Sequence, residues 1–185
     1  MSASQEKALL RKTMKARAAA LDPAYNASAS ARICQRLAEL SAYRTARTVF
    51  CFVGTSREMD TRPFLEQTLR DQKRLCVPLC VGNGIMEARQ VTSLEELRPG
   101  AMGILEPSHD APRVPPEEID FCVTPCLCAT EAGARLGYGG GYYDRFLPCL
   151  RPEVEPVLVC RARMLVPRLP LEPHDVRFAR VITEK

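Results

Sequence analysis

The sequence predicts an α/β fold: a single domain with an open, mostly parallel sheet flanked by helices, in a three-layer α/β/α, Rossmann-like arrangement. Two observations support it. Short β-branched or aromatic runs alternate along the chain with segments of helical periodicity, which is typical of βαβ units. The chain of 185 residues is 46% hydrophobic, which fits one well-filled core.

The first half of the chain predicts two helices followed by alternating strands and helices. A helix is expected over residues 4–21, where apolar residues recur at helical spacing. Asp22 and Pro23 suit the N-cap and first position of a second helix that runs to about residue 41. The elements expected next are a strand at 48–53, a helix at 61–70, strands at 74–79 and 85–91, and a helical turn at 93–96.

The second half begins with residues 99–118, which hold many prolines and are expected to form a long surface loop. Open parallel sheets bind ligands beyond the carboxyl ends of their strands. The residues after positions 53, 79, 124 and 160 are therefore expected to surround the site. The elements predicted here are strands at 119–124, 154–160 and 181–183, and a helix at 142–150.

Composition excludes several classes of protein. The chain has no apolar run of about 18 residues and no apolar stretch near its start, so we expect a cytoplasmic protein without membrane contact. Nine cysteines lie mostly in apolar runs and are expected to be buried thiols in a reducing compartment. A net charge of +4 is modest, and aromatic residues are only 6% without any Trp, so a nucleic-acid platform is poorly supplied.

The most informative segment is Arg135-Leu-Gly-Tyr-Gly-Gly-Gly-Tyr-Tyr-Asp-Arg145, which holds four of the ten glycines. Glycine-rich turns that open a helix expose backbone N–H groups, which favour phosphate. Asp144 could then hold a metal, and the two arginines could neutralise anionic oxygens. The spacing matches neither a P-loop nor a dinucleotide fingerprint. The segment therefore indicates a nucleotide-using enzyme without naming a fold, and a flexible loop is the alternative.

Four separated pieces resemble, in the same order, the 5-formyltetrahydrofolate cyclo-ligase family, also called methenyltetrahydrofolate synthetases. They are Lys7-x-x-x-Arg11, Phe52-Val53 to Glu58-x-Asp60-Thr61, the glycine-rich segment, and Pro173-His174-Asp175. The resemblance covers nearly the whole chain, and the glycine-Tyr-Tyr-Asp piece is its most specific part.

The resemblance implies that the chain converts 5-formyltetrahydrofolate and ATP into 5,10-methenyltetrahydrofolate, ADP and phosphate, using Mg²⁺. In the mechanism proposed for the family, ATP phosphorylates the formyl oxygen, N10 of the folate attacks the activated carbon, and phosphate leaves. The substrate is expected to carry a polyglutamate tail in some forms, and the protein is expected to be a monomer.

The resemblance also implies roles for individual residues. Lys7, Arg11 and Arg135 are the expected catalytic groups, and Asp144 and Asp175 are the expected ligands of Mg²⁺. The expected ATP contacts are Lys7, Ala8, Leu9, Leu10, Arg11, Arg135, Leu136, Gly137, Tyr138, Gly139, Gly140, Gly141, Tyr142 and Tyr143. The expected folate contacts are Phe52, Val53, Glu58, Tyr138, Gly140 and Tyr142.

Each role has a structural alternative. Lys7 and Arg11 could lie on a solvated helix face, and Phe52 could be an ordinary core residue. Asp144 could simply be an acid at a helix N-terminus, and Asp175 a turn residue.

Two departures from the family pattern affect the site. Ala129-Thr130 stands where relatives commonly carry an aromatic–acid pair, and Tyr138 and Gly140 stand where some carry basic residues.

Three other functions remain open. They are an ATP-dependent phosphotransferase acting on another small molecule, a nucleic-acid-binding module, and a degenerate relative that binds folate without turnover.

Overall fold

The computed structural model describes residues 2–55, 58–100, 103–172 and 175–185. Two long helices open the chain, α1 (Ala3–Ala19) and α2 (Pro23–Glu39). Ser2 and Gln5 form a capping box at the start of α1, and the Asp22 carboxylate accepts hydrogen bonds at the start of α2. The predicted helix to residue 41 is wrong at its end, because Leu40 is extended and a separate helix α3 (Ser41–Thr45) follows.

The next elements are β1 (Thr48–Cys51), α4 (Arg62–Arg70), β2 (Arg74–Gly82) and β3 (Ile85–Val91). The segment predicted as a loop contains three strands of two residues, β4 (Arg98–Pro99), β5 (Leu105–Glu106) and β6 (Arg113–Val114). Strands of two residues are too short to show alternation, so they leave no periodic pattern.

The remaining elements are β7 (Phe121–Thr124), β8 (Cys128–Ala129), β9 (Arg135–Leu136), α5 (Tyr142–Phe146), β10 (Val157–Val159) and β11 (Arg180–Ile182). Of these, β7, α5 and β10 are shorter than predicted, β8 and β9 were not predicted, and β11 has the predicted length, shifted by one residue. Helix α5 gives way to a 3₁₀ turn at Leu147–Cys149, which contains Pro148. Proline lacks the N–H that an α-helix requires in its interior, which explains the early end.

Seven strands of the described chain form one sheet in the order β11-β10-β7-β1-β2-β3-β6. The pairs among β11, β10, β7, β1 and β2 are parallel, whereas β3 and β6 add antiparallel strands at one side. This arrangement confirms the predicted mostly parallel α/β fold. It brings the carboxyl ends of β1, β7 and β10 together at one edge of the sheet.

Alternate residues of the central strands pack into different hydrophobic clusters. Val49 and Cys51 of β1 pack with α2, α3 and α4, while Phe50 packs with α1 and α5. Successive side chains of a strand point to opposite faces, so helices cover both sides of the sheet. The helices on these two faces are the outer layers of the predicted three-layer arrangement.

Candidate active site

The glycine-rich segment forms a tight loop between β9 and α5. Gly139 and Gly141 have φ angles of 101° and 70°, a left-handed conformation that L-residues with side chains adopt at a cost. The Gly137 carbonyl accepts a hydrogen bond from Arg11 Nε at 3.0 Å, which fixes α1 against the loop. Arg145 donates to the carbonyls of Gly84 and Gly140 at 3.1 and 3.3 Å and ties the loop to the turn after β2. The loop is therefore held from two sides.

Arg135 lies at the base of this loop. Its Nε donates to the Pro125 carbonyl at 2.8 Å, directly after β7, and its guanidinium lies 5.1 Å from the centre of the Tyr143 ring. A terminal nitrogen of Arg135 is 3.3 Å from Asp144 Oδ1, and the Asp144 side chain is 46% exposed. These contacts place a fixed positive charge and an accessible carboxylate beside the glycine-rich loop.

Lys7 is buried rather than solvated, so the solvated-face interpretation is wrong for this residue. The residue is only 6% exposed, and its Nζ lies 2.7 Å from Glu172 Oε2 and 2.6 Å from Asp175 Oδ2. Burial acts to lower the pKa of Lys7, but the hydrogen bonds and charges of Asp175 and Glu172 outweigh it and raise the pKa above its usual value. Lys7 is therefore a fixed cation that joins α1 to the C-terminal segment.

A pocket lies where the carboxyl ends of β1, β7 and β10 meet. The sequence analysis expected the site after positions 53, 79, 124 and 160, and three of these four positions lie at this edge. The fourth, position 79, falls inside β2, which continues to Gly82. The cavity measures about 10 Å³, which is room for about one water molecule, so the pocket is small. Its lining consists of Phe52, Glu58, Met59, Pro125, Cys126, Val159, Cys160, Arg161 and Met164.

Glu58 is the acidic group of this pocket. Its Oε2 accepts hydrogen bonds from the Thr55 backbone at 3.3 Å and the Thr55 hydroxyl at 3.1 Å. Burial is the largest influence on the pKa of Glu58 and raises it. The hydrogen bonds from Thr55, the charge of Arg161 and a hydrogen bond with Tyr138 act in the opposite direction but do not outweigh burial. Tyr138 belongs to the glycine-rich loop, so the loop and the pocket meet at this carboxylate.

Arg161 is a pocket residue that the sequence analysis missed. It is 6% exposed and donates to Asn26 Oδ1 of α2 at 2.6 Å. The available signal was its position, because it comes two residues after β10 and ligands bind beyond the carboxyl ends of the strands in such sheets.

The other predicted contacts are not all brought to this pocket. Phe52 lines it, whereas Val53 is a core residue that is 9% exposed. Leu9 is 58% exposed on α1, and Leu10 packs against the core. Burial raises the pKa of Tyr142, and Cys80 of β2 adds to that rise, so Tyr142 lies on the β2 side. Pro173 and His174 lie outside the described residues.

Thr130, one of the departures from the family pattern, has a structural role. Its hydroxyl accepts from the Ala134 backbone at 3.1 Å, and its own N–H donates to the Ala134 carbonyl at 2.9 Å. These bonds close the turn of a hairpin between β8 and β9 that leads into Arg135. Thr130 thus supports the position of the glycine-rich loop without a carboxylate.

The described ranges contain no group of three or more His, Cys, Asp or Glu side chains placed to hold a metal. They also contain no helix long and apolar enough to cross a membrane. Asp144 and Asp175, the predicted metal ligands, are instead ion-paired with Arg135 and Lys7 respectively.

A mostly parallel sheet with fixed cations, a glycine-rich loop and a buried carboxylate at one edge fits an α/β enzyme that acts on anionic substrates. The model of the 5-formyltetrahydrofolate cyclo-ligase family matches residues 3–184. The 5-formyltetrahydrofolate cyclo-ligase of Escherichia coli K12 is 35% identical over 144 residues, which are 75% of this chain and 78% of that protein. The cyclo-ligase of Mycolicibacterium smegmatis is 31% identical over 149 residues, which are 76% and 75% of the two chains.

Solved structures agree. A 5,10-methenyltetrahydrofolate synthetase of Aquifex aeolicus matches with a TM-score of 0.85 and 30% identity, over 97% of this chain and 90% of that chain. The synthetase of Mycoplasma pneumoniae matches in fold with a TM-score of 0.79 at 21% identity, over 97% and 99% of the two chains. The chain therefore belongs to the 5-formyltetrahydrofolate cyclo-ligase family, and it is a folate-related ligase.

Proposed function

We propose that this enzyme catalyses the ATP- and Mg²⁺-dependent cyclisation of 5-formyltetrahydrofolate to 5,10-methenyltetrahydrofolate, with release of ADP and phosphate. The observation that carries the proposal is the meeting of two features at Glu58. A glycine-rich loop suited to phosphate lies against a pocket with a buried carboxylate, and Tyr138 links the two. A reaction between a nucleotide and a folate needs both binding sites within reach of each other.

The nucleotide would lie along the loop. Gly139 and Gly141 have positive φ angles, a backbone conformation in which successive N–H groups can converge on phosphate oxygens. Arg11 and Arg135 flank the loop at its start, with their guanidinium groups fixed on backbone carbonyls. Fixed cations of this kind stabilise the charge that develops on a transferring phosphoryl group.

The donor set also fits Mg²⁺, which usually takes one or two carboxylates together with phosphate oxygens and water. Asp144 is accessible next to the loop, and Asp175 lies against Lys7, another expected phosphate ligand. Bound Mg²⁺ would neutralise phosphate charge. Because both carboxylates are ion-paired with cations, we expect them to exchange partners when the nucleotide binds.

The pterin ring of the folate would enter the Glu58 pocket. A pterin presents an amide N–H and an amino group on one edge, and an ionised carboxylate accepts hydrogen bonds from both. The Thr55 donors and the positive charge of Arg161 favour the ionised form of Glu58. Because the cavity holds about one water molecule, its walls must separate before the ring can enter.

The chemistry follows from placing both substrates at this edge. The γ-phosphoryl group of ATP passes to the formyl oxygen, and ADP leaves. N10 then attacks the formyl carbon, its proton passes to solvent, and the carbon–oxygen bond breaks with phosphate as the leaving group. Phosphorylation makes a poor leaving group a good one, so the protein has mainly to position the reactants and neutralise charge.

The proposal is tested by near-ultraviolet absorbance of the methenyl product. Purified protein is mixed with 5-formyltetrahydrofolate and Mg²⁺, with and without ATP. An absorbance rise that requires ATP is the expected result. Binding of both ligands without a rise would indicate a degenerate relative, and the absence of folate binding would indicate a phosphotransferase for another small molecule.

Other properties remain part of the proposal. We expect a cytoplasmic monomer of a single domain that binds no nucleic acid, and the preference for polyglutamate length stays open. A folate enzyme is expected not to bind oligonucleotides at any salt concentration. Binding that weakens steeply as salt is added would support the nucleic-acid alternative.

A further inference from the structure

Cys126 and Cys160 follow two neighbouring parallel strands. Strand β7 pairs with β10 so that Thr124 lies opposite Leu158, and the same register, continued past the strand ends, would place Cys126 opposite Cys160. The Cys126 thiol donates to the Val159 carbonyl at 3.3 Å, which holds it against the residue before Cys160. Neighbouring strands lie about 4.8 Å apart, and a disulfide spans Cα atoms about 4.4–6.8 Å apart. The two positions are therefore close enough to be bridged.

Both thiols line the pocket that contains Glu58. All nine cysteines are free, Cys160 is 3% exposed, and Cys126 is partly exposed. A hydrogen bond with the Cys160 thiol, together with burial, raises the pKa of Cys126 well above its usual value. The other charged groups that act on Cys126 are Arg135 and Glu58. Cys126 and Cys160 thus lie next to each other in the lining of the pocket.

Their position matters because the pocket must open. A cavity of about 10 Å³ holds about one water molecule. The bicyclic pterin ring is many times larger than a water molecule and needs a correspondingly larger cavity. Two walls of the cavity are the ends of β7 and β10, which carry Pro125 with Cys126 and Val159 with Cys160 respectively. A covalent bond between these ends would resist their separation.

We propose that Cys126 and Cys160 are a modification site, a dithiol that a low-molecular-weight disulfide oxidises to an intramolecular disulfide that holds the substrate pocket closed. When the pocket opens and water reaches the thiols, one of them loses its proton, and the resulting thiolate attacks the small disulfide, forms a mixed disulfide and releases one thiolate. The second protein thiolate then attacks the protein sulfur of the mixed disulfide and releases the other small thiolate. In total two protein thiols lose two protons and two electrons, and one small disulfide becomes two thiols.

The inference rests on the proposed function, because it assumes that folate occupies this pocket. Oxidised glutathione is the probe, and dithiothreitol reverses the reaction. Oxidation is expected to raise the KM for 5-formyltetrahydrofolate by about tenfold or more, a change of about 1.4 kcal/mol, and to leave the KM for ATP nearly unchanged. Saturating 5-formyltetrahydrofolate, added first, is expected to slow the oxidation.

Tryptic peptide mapping identifies the bond. Cys126 lies in the peptide of residues 114–135 and Cys160 in that of residues 146–161, so a linked pair of these peptides is expected. Each peptide holds further cysteines, so single variants assign the bond. C126S and C160S should each lose the linked species and the response of KM to oxidation. C149S, which changes an exposed cysteine, should keep both.

Two results would overturn the inference. One is the absence of the linked peptides at millimolar oxidised glutathione, and the other is a linked protein that binds 5-formyltetrahydrofolate as tightly as the reduced one in calorimetry. Calorimetry and mapping do not require turnover. A protein that forms the bond and loses folate binding but shows no cyclisation in its reduced form would therefore refute the proposed activity alone.

Discussion

At the scale of single residues, the raised pKa of the buried Glu58 carboxyl affects both stability and the proposed binding of folate. Burial raises its pKa above the ordinary value of 4.5, so the folded protein holds this proton more tightly than the unfolded chain does. The contribution of this group to stability is therefore largest at low pH and decreases as pH rises through the raised pKa. This cost in stability fits the role proposed for Glu58, in which the ionised carboxylate binds the pterin ring.

Replacing Glu58 by Gln tests this interpretation. E58Q should raise the KM for 5-formyltetrahydrofolate about 10- to 150-fold, because a charge-assisted hydrogen bond contributes about 1.5–3 kcal/mol, whereas the KM for ATP should change little. Wild-type KM for folate should rise as pH falls through the raised pKa of Glu58, and the E58Q value should not follow it.

Thermal unfolding gives an independent readout of the same substitution. E58Q should be at least as stable as the wild type at neutral pH, and this advantage should disappear in acid, where the wild-type carboxyl is protonated. A variant that is less stable at neutral pH and retains folate affinity would contradict the assigned role.

Asp144 provides the second residue test. D144N should raise the Mg²⁺ concentration for half-maximal rate about 10- to 150-fold, since one charged ligand is lost. The melting temperature should change little, because an exposed ion pair contributes little to stability. The matched control is E153Q, which alters another exposed acid paired with an arginine, at 3.1 Å. An unchanged Mg²⁺ titration of D144N would remove Asp144 from the metal site.

Residue roles were only partly accessible from sequence. The glycine-rich segment and Glu58 carry local patterns, and the structure places them together. Lys7 was expected on a solvated face when judged by charge alone, yet its partners Glu172 and Asp175 lie more than 160 residues away in the chain. Arg161 and Asn26 belong to different elements, so no local pattern connects them.

Among the elements, the glycine-rich loop has the most demanding backbone. Gly141 precedes α5 with φ of 70°, and a Cβ there would lie 2.6 Å from an Arg145 nitrogen. G141A should therefore destabilise the protein by about 1–2 kcal/mol and weaken ATP binding, as measured by thermal unfolding and calorimetry.

Gly82 supplies the control at this scale. It lies outside the left-handed region, and a Cβ added there would meet no described atom within 4 Å. G82A should keep both the melting temperature and the affinity for ATP. Equal behaviour of the two variants would show that the left-handed backbone of the loop is unimportant.

Element boundaries show where local patterns are sufficient. Helices α1 and α2 were predictable because the helical spacing of apolar residues marks α1 and the Asp22-Pro23 pair marks the start of α2. The break at Leu40 was not, since an extended residue between two helices leaves no clear sequence mark. The β8–β9 hairpin was also missed, because strands of two residues are too short to show alternation.

For the whole molecule, the fold class was predictable but the strand order was not. Alternating strands and helices indicate a parallel sheet, whereas the position of β1 between β7 and β2 depends on pairings between distant segments. That order is what gathers Phe52, Pro125 and Cys160 around one pocket. The site is therefore a property of the topology as much as of its motifs.

The most direct test of the account follows the formyl oxygen. 5-Formyltetrahydrofolate labelled with ¹⁸O in the formyl group is converted with unlabelled ATP, and the released phosphate is analysed by mass spectrometry. Recovered substrate from an incubation without enzyme controls for loss of the label. We predict one ¹⁸O atom in each phosphate released, because the γ-phosphoryl group is transferred to that oxygen. Unlabelled phosphate, with the label in water, would contradict the transfer of phosphate between the two halves of the site.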